Sequence, residues 1–385
     1  MNRPSIVGCF LVTAVAWGQA DGGDAPTSNE ERIAELTQQV SQTHASLLSL
    51  QNLKLSGYVQ ARYQYADNSN SGLDAQGTPQ VKDGFTVRRG RLKASYSIPH
   101  TKLVLQIDAT PKGVALKDAE VHFIEPWTGH ALQLVAGQTK WPFGYEVLQS
   151  SSEREFPERS RVVRAFAPGE RDRGAKLLLK EGPFRALVGV FDGNGTDNRP
   201  FSGVDNDTEK DVIGRMGLEL AQLSGGVSGW WGKSFNPSTS RFVPRTRLGA
   251  DAQTHFTLLP FGATTVKAEL IAGRTYQSSG VERFDQPGLG WYALLTQKIG
   301  EANLVAVRYD YFDGYSGTPD AADVSNPSRP ASTNAVGTVG VLAARNVTSA
   351  LKVTAAYEMP LTFTGGGQAQ DPTDNLFTLQ FQGKF

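Results

Sequence analysis

Cysteine is almost absent from this sequence of 385 residues, which holds a single copy, Cys9. Cys9 lies in an apolar stretch near the start, so removing that stretch leaves no disulfide framework and no thiolate metal site. Beyond that stretch, no apolar run approaches the ~20 residues that a membrane helix needs. An excess of charge is missing too: 38 Lys and Arg balance 38 Asp and Glu, so the overall charge points to no nucleic-acid partner. Histidine is scarce, and His100, His122, His130 and His255 lack metal-ligand spacing. His122 beside Glu120 suggests half of a hydrolase site, but no serine motif completes a nucleophile. The chain is therefore expected to hold no metal or cofactor and to be no enzyme. Asp205, Asn206 and Asp207 fit either a calcium loop or an exposed polar loop. Gly193 to Gly195 is turn chemistry, because no helix follows it as a phosphate-binding loop would require.

What is present changes character along the chain. Arg3, the apolar run Ile6 to Val15 and the small residues Gly18 and Ala20 predict an export signal over residues 1–20. A polar linker follows, and then Ile33, Leu36, Val40, Thr43, Leu47 and Leu50 recur at spacings of three and four. That seam predicts a helix within residues 21–52, either a short oligomerising coiled coil or a lone amphipathic helix.

From Leu53 the period drops to 2. Leu53, Leu55, Val59, Ala61, Tyr63 and Tyr65 share one face, and Lys54, Gln60, Arg62 and Gln64 share the other. The last segment repeats this alternation and ends on Phe385. About sixteen such segments can be marked between residues 53 and 385, joined by turns that alternate short and long. The pattern predicts an all-β protein, a transmembrane antiparallel β-barrel lying in bacterial outer-membrane lipid, with the N-terminal helix in the periplasm.

One connection differs from the rest. The stretch Gln138 to Arg173 holds six arginines, six acids and the aromatics Trp141, Phe143, Tyr145, Phe156 and Phe166. A connection this long with its own aromatics packs onto something rather than trailing in solvent, and it is expected to fold into the lumen and narrow it. Parity nominates the pore lining as well. Gly90, Leu92, Ala94, Tyr96 and Ile98 form an apolar face, which sends Arg89, Arg91 and Lys93 inward as a row. By the same parity Arg62, Lys176, Arg215, Arg247, Lys267 and Arg308 point inward, and so do Asp108, Asp118, Glu120, Asp251, Glu269, Asp310 and Glu358. The inward arginines either form an anion path or pair with these acids. The candidate pore-lining and anion-binding residues are Arg62, Arg89, Arg91, Lys93, Lys140, Arg154, Arg159, Arg161, Arg164, Arg171, Arg173 and Lys176.

The segments GYVQARY at 57–63, FTVRRGRL at 85–92, LVAGQTKWPFGYE at 134–146, ERSRVVRAFAPGERDRGAKL at 158–177 and GVFDGNGTDN at 189–198 resemble the phosphate-selective porin O and P family, and the terminal FTLQFQGKF fits the same pattern. The resemblance implies a sixteen-stranded homotrimeric outer-membrane channel, in some members with arginine rows guiding anions to a constriction. The function expected is passive diffusion of small anions, with phosphate or polyphosphate as candidate solutes. The alternative is a general porin for small hydrophilic solutes.

Overall fold

The structure, a computed structural model, describes residues 28–66, 83–111, 113–193, 195–196, 208–236, 241–275, 286–313, 335–363 and 375–385. The export signal, Asp205 to Asp207 and much of the expected long loops lie outside these residues. Two compact units are present, Met1–Gln51 and Asn52–Phe385.

The first unit contains helix α1, Asn29–Gln51. The seam residues Ile33, Leu36 and Val40 are exposed along this helix. The single chain thus shows the helix but not its pairing into a coiled coil.

The second unit is the barrel. Its strands are β1 (Leu53–Ala66), β2 (Asp83–Ile98), β3 (Thr101–Thr110), β4 (Gly113–Ile124), β5 (Leu132–Lys140), β6 (Arg171–Glu181), β7 (Phe184–Phe191) and β8 (Asp211–Glu219), followed by β9 (Leu223–Asn236), β10 (Arg241–Leu259), β11 (Gly262–Thr275), β12 (Gln286–Ile299), β13 (Asn303–Asp313), β14 (Ala335–Asn346), β15 (Leu351–Phe363) and β16 (Leu376–Lys384). Each pairs antiparallel with its sequence neighbours, and β1 closes on β16 from Tyr58↔Lys384 to Ala66↔Leu376. The Phe385 amide and carbonyl extend this seam onto Gly57, at 3.1 and 3.0 Å. Closure leaves the sheet without an open edge, so backbone groups pair within the wall wherever both neighbouring strands run alongside.

Four strands run four residues or more past the segments that alternation marks, near 117–125, 245–258, 290–299 and 348–357: β4 starts at Gly113, β10 at Arg241 and β12 at Gln286, and β15 continues to Phe363. The last three cross Pro244, Pro287 and Pro360, which pair with Lys233, Arg274 and Thr338. Proline reads as a breaker in sequence, but it costs a strand only one N–H and keeps its carbonyl.

Parity sorts the wall as expected. Leu55, Val59, Leu92, Leu105, Leu134 and Leu177 are exposed on the outer face, whereas Gln60, Arg62, Arg89, Asp108, Asp118, Lys176, Lys267, Glu269 and Arg308 are buried on the inner face. An inner face this buried means that something fills the lumen at its level. That filling is the connection between β5 and β6, which carries a short helix, α2 (Arg161–Phe166). Alternation could not show α2, since six residues are too few to establish a helical period. Its Val162, Val163 and Phe166 are buried in a hydrophobic core with Phe143, Val147 and Phe156 from the same loop and Ile213, Trp230, Ile271, Leu294 and Leu342 from the wall. The core of this barrel therefore sits inside the lumen, where each fully buried Val or Phe contributes roughly 1.5–3 kcal/mol.

Candidate functional site

Residues 141–170 cross the lumen and are held from several sides. On the far wall, Trp141 and Phe143 meet the Trp230 ring edge-on, with centroids 4.7 and 5.9 Å away. The Gly144 amide donates to Ser228 Oγ at 2.9 Å, and the Tyr145 and Glu146 amides donate to the Glu269 carboxylate at 3.1 and 3.0 Å. Two loop side chains press so close to the wall that only glycine fits opposite them. A Cβ at Gly290 would lie 2.7 Å from Val162 Cγ2, and one at Gly340 would lie 2.7 Å from the Phe156 ring. The Phe166 ring stands perpendicular to Phe312 at 5.8 Å.

On the side of β1 and β2 the loop is held by polar contacts. Tyr58 Oη and Ser151 Oγ are 2.6 Å apart, and Gln60 Nε2 and Gln382 Nε2 donate to the carbonyls of Ser151 and Ser152, each at 3.1 Å. Lys384 pairs with Glu153 at 2.7 Å, and on the far wall Lys267 of β11 pairs with Glu155 at 2.7 Å. Glu146 ties the loop to itself by accepting the Ser160 amide and hydroxyl at 2.9 and 2.7 Å.

The candidate residues fall into three groups. The first is paired or anchored. Arg91 lies 3.2 Å from Asp108 and donates to Ser151 Oγ at 2.8 Å. Arg171 lies 2.6 Å from Asp118, and Glu170 bridges Arg171 and Arg159. Lys140 Nζ donates to the carbonyls of Val147, Leu148 and Gln149 at 2.9, 3.1 and 2.8 Å, and Lys176 Nζ donates to Thr139 Oγ1 and the Lys140 carbonyl at 2.7 and 2.9 Å. These two lysines brace the loop's departure from the wall. The second group sits at the edges. Arg161 and Arg164 ride on α2, with the Arg161 amide 3.4 Å from Asp310; Arg173 faces Gln138 across the β5–β6 ladder, and Lys93 is half-buried on β2.

The third group converges on one carboxylate. Glu158 Oε1 accepts from Arg62 and Arg88, each at 2.7 Å, and Arg89 lies 3.5 Å from Oε2. Burial opposes the charged form of Glu158, but the surrounding guanidiniums of Arg88, Arg62, Arg89 and Arg154 outweigh it and hold this carboxyl well below the usual range. Arg154 itself is 4% exposed, and none of its three guanidinium nitrogens has a hydrogen-bond acceptor. Burial pushes its pKa down accordingly.

Arg88 was hidden by strict alternation, which places it on the lipid face. The β1–β2 register shifts at Gln60/Ala61, pairing Gln60 with Arg89 and Ala61 with Val87, so Arg88 is the extra residue of a bulge and turns toward Glu158. Arg245 was also absent from the candidates. It lies 2.7 Å from Asp211 in the lumen and belongs to the same face as Arg247. His122 Nε2 lies 2.9 Å from Glu120, and no group of three metal-ligating side chains occurs among the described residues.

Comparison with known proteins follows this geometry. No curated protein matches the sequence. Among solved structures, an anion-selective porin from Comamonas acidovorans aligns at 14% identity and TM-score 0.58, covering 86% of this chain and 99% of that one. The outer membrane channel DcaP of Acinetobacter baumannii aligns at 14% identity and TM-score 0.59, covering 86% and 97%. OmpT, an outer membrane protein of Vibrio cholerae in its trimer form, aligns at 10% identity and TM-score 0.56, covering 86% and 99%. Likeness at these identities is likeness of fold. The model of the phosphate-selective porin O and P family matches residues 53–210, the run from β1 through β7 that carries the folded-in loop and Glu158 with Arg62, Arg88, Arg89 and Arg154. The chain is thus a closed sixteen-stranded barrel of porin fold whose residues 53–210 match the model of the phosphate-selective porin O and P family.

Proposed function

We propose that the protein is a passive outer-membrane channel for small anions, phosphate among them, with residues 141–170 as its constriction. One observation carries this reading: three guanidiniums, those of Arg62, Arg88 and Arg89, converge on the single carboxylate of Glu158 on the β1–β2 side of the lumen. A local positive excess in a low-dielectric lumen raises the anion concentration there and lowers the cation concentration. A homotrimer assembled in the membrane, with α1 as an added oligomerising element after export, completes the proposal.

A general porin is the second reading, and pairing elsewhere in the lumen favours it. Arg215 pairs with Asp251, Arg245 with Asp211 and Arg308 with Glu358, so much of the wall charge is internally cancelled. The zero-current potential in a planar bilayer under a potassium chloride gradient decides between the two. The anion channel gives a potential of chloride sign, reduced in Arg89→Ala plus Arg91→Ala. A potential near zero, unmoved by that double change, sinks the anion-channel proposal.

A further inference from the structure

We infer that Glu158 is a tethered counter-anion: its carboxylate fills an oxyanion site built by Arg62, Arg88 and Arg89, and a permeating carboxylate or phosphate binds there by displacing it. The inference rests on the anion-channel reading and names the residue that sets its affinity.

A purely structural ion pair needs one cation for one carboxylate. Here the carboxylate takes 2.7 Å contacts from both Arg62 and Arg88 and a 3.5 Å contact from Arg89. Arg154 adds a fourth charge at no acceptor of its own. Gathering like charges at a half-buried wall is unfavourable unless an anion compensates them, and Glu158 supplies that anion for the three arginines that contact it. The guanidinium fork suits planar and tetrahedral oxyanions alike. The bulge also points to a purpose. Regular pairing would turn Arg88 outward, whereas the register shift at Gln60/Ala61 brings two consecutive arginines to one site.

The carboxylate is the member able to leave. The Glu158 side chain is 21% exposed and that of Arg88 39%, so both reach the open lumen, while those of Arg62 and Arg89 are 1% and 5% exposed and stay in the wall. The backbone on either side is pinned independently: Arg62 donates to the Pro157 carbonyl at 2.7 Å and Arg308 to the Glu158 carbonyl at 3.0 Å. Rotation about the Glu158 side-chain bonds can therefore vacate the arginines while the loop stays in place.

The test compares the wild-type protein with Glu158→Gln in planar bilayers, titrating inorganic phosphate against the chloride current. Loss of an internal competitor should lower the half-blocking phosphate concentration about tenfold and raise the chloride-to-potassium permeability ratio. Displacement of the loop would instead raise both permeabilities together, so the ratio separates exchange from damage. If Glu158→Gln fails to insert, Glu158→Asp keeps the charge but withdraws it by one methylene, and about a threefold shift in the same direction is expected. An anion-selective wild type whose phosphate titration is unchanged in the inserting variant overturns the tethered anion and leaves the channel reading intact. Absence of anion selectivity in both proteins overturns the two together.

Discussion

The two sides of the lumen hold the same loop by different mixtures of chemistry. Toward β9, β11 and β13, Trp141, Phe143, Phe156 and the α2 residues Val162, Val163 and Phe166 are buried in an apolar core, and Ser228, Glu269 and Lys267 add polar contacts to it. Toward β1, β2 and β16, contact is made by Tyr58, Gln60, Arg62, Arg88, Gln382 and Lys384, all through hydrogen bonds or ion pairs. Dispersion and desolvation make the first side a fixed hinge pin, since apolar burial has no substitute in water. Exposed polar contacts on the second side, such as Lys384 with Glu153, can be exchanged for water at small net cost, whereas the buried Arg62 and Arg89 need another anion in exchange. The loop is therefore anchored by an apolar core on one side and by polar contacts alone on the other.

The largest break in this contrast should come from the dry side. Phe156→Ala with Phe166→Ala removes two buried rings, each worth about 3–5 kcal/mol in a packed core. The barrel should still close, but the loop should come free, read as a rise in single-channel conductance and trypsin cleavage after Arg154, Arg159 or Arg161. Unchanged conductance with a protected loop would mean that the polar side alone suffices as an anchor.

A smaller break is expected from Asp118→Asn. Arg171, 2% exposed in its side chain, would keep Glu170 but lose its nearer partner. Removing one partner of a buried pair costs about 3–5 kcal/mol, and the surviving Glu170 contact should hold this case to about 2 kcal/mol. Thermal unfolding in detergent should register the loss with the loop still protected from trypsin.

Acid should have the least effect. Glu158 is held well below the ordinary carboxylate range, so its charge state in the folded channel does not change down to about pH 4. The stability it contributes is full above about pH 4.3, where the unfolded carboxyl ionises, and is lost as pH falls through its depressed folded value. The difference in conductance and anion selectivity between wild type and Glu158→Gln should stay flat from pH 7 to about 4 and change only in stronger acid. A midpoint near pH 5 in that difference would show that Glu158 is not clamped by the arginines.

The strands were legible because a barrel wall has one repeated requirement, apolar outward and polar inward, which writes itself into the sequence with period 2. The row Arg89, Arg91 and Lys93 followed directly from it. Arg88 did not, because a one-residue bulge inverts the face of every residue on one side of it and leaves no mark in composition. Lys140 was read as a pore residue, and its acceptors are three loop carbonyls that only a folded-back chain could supply. The mixed charge of residues 138–173 showed that acids and arginines would meet, but not which ones.

By itself the sequence determined the barrel, its strand number, the lumen-facing parity and the loop that would enter it, since each follows from local periodicity or from length and composition. Only the tertiary structure decided that an apolar core lies inside the lumen, that Glu158 rather than Glu153 or Glu155 receives the arginines, and that Arg154 is left without an acceptor. Those outcomes depend on which residues of the crossing loop reach which strands, and that matching is set by contacts more than a hundred positions apart in several cases, beyond the range of any local pattern.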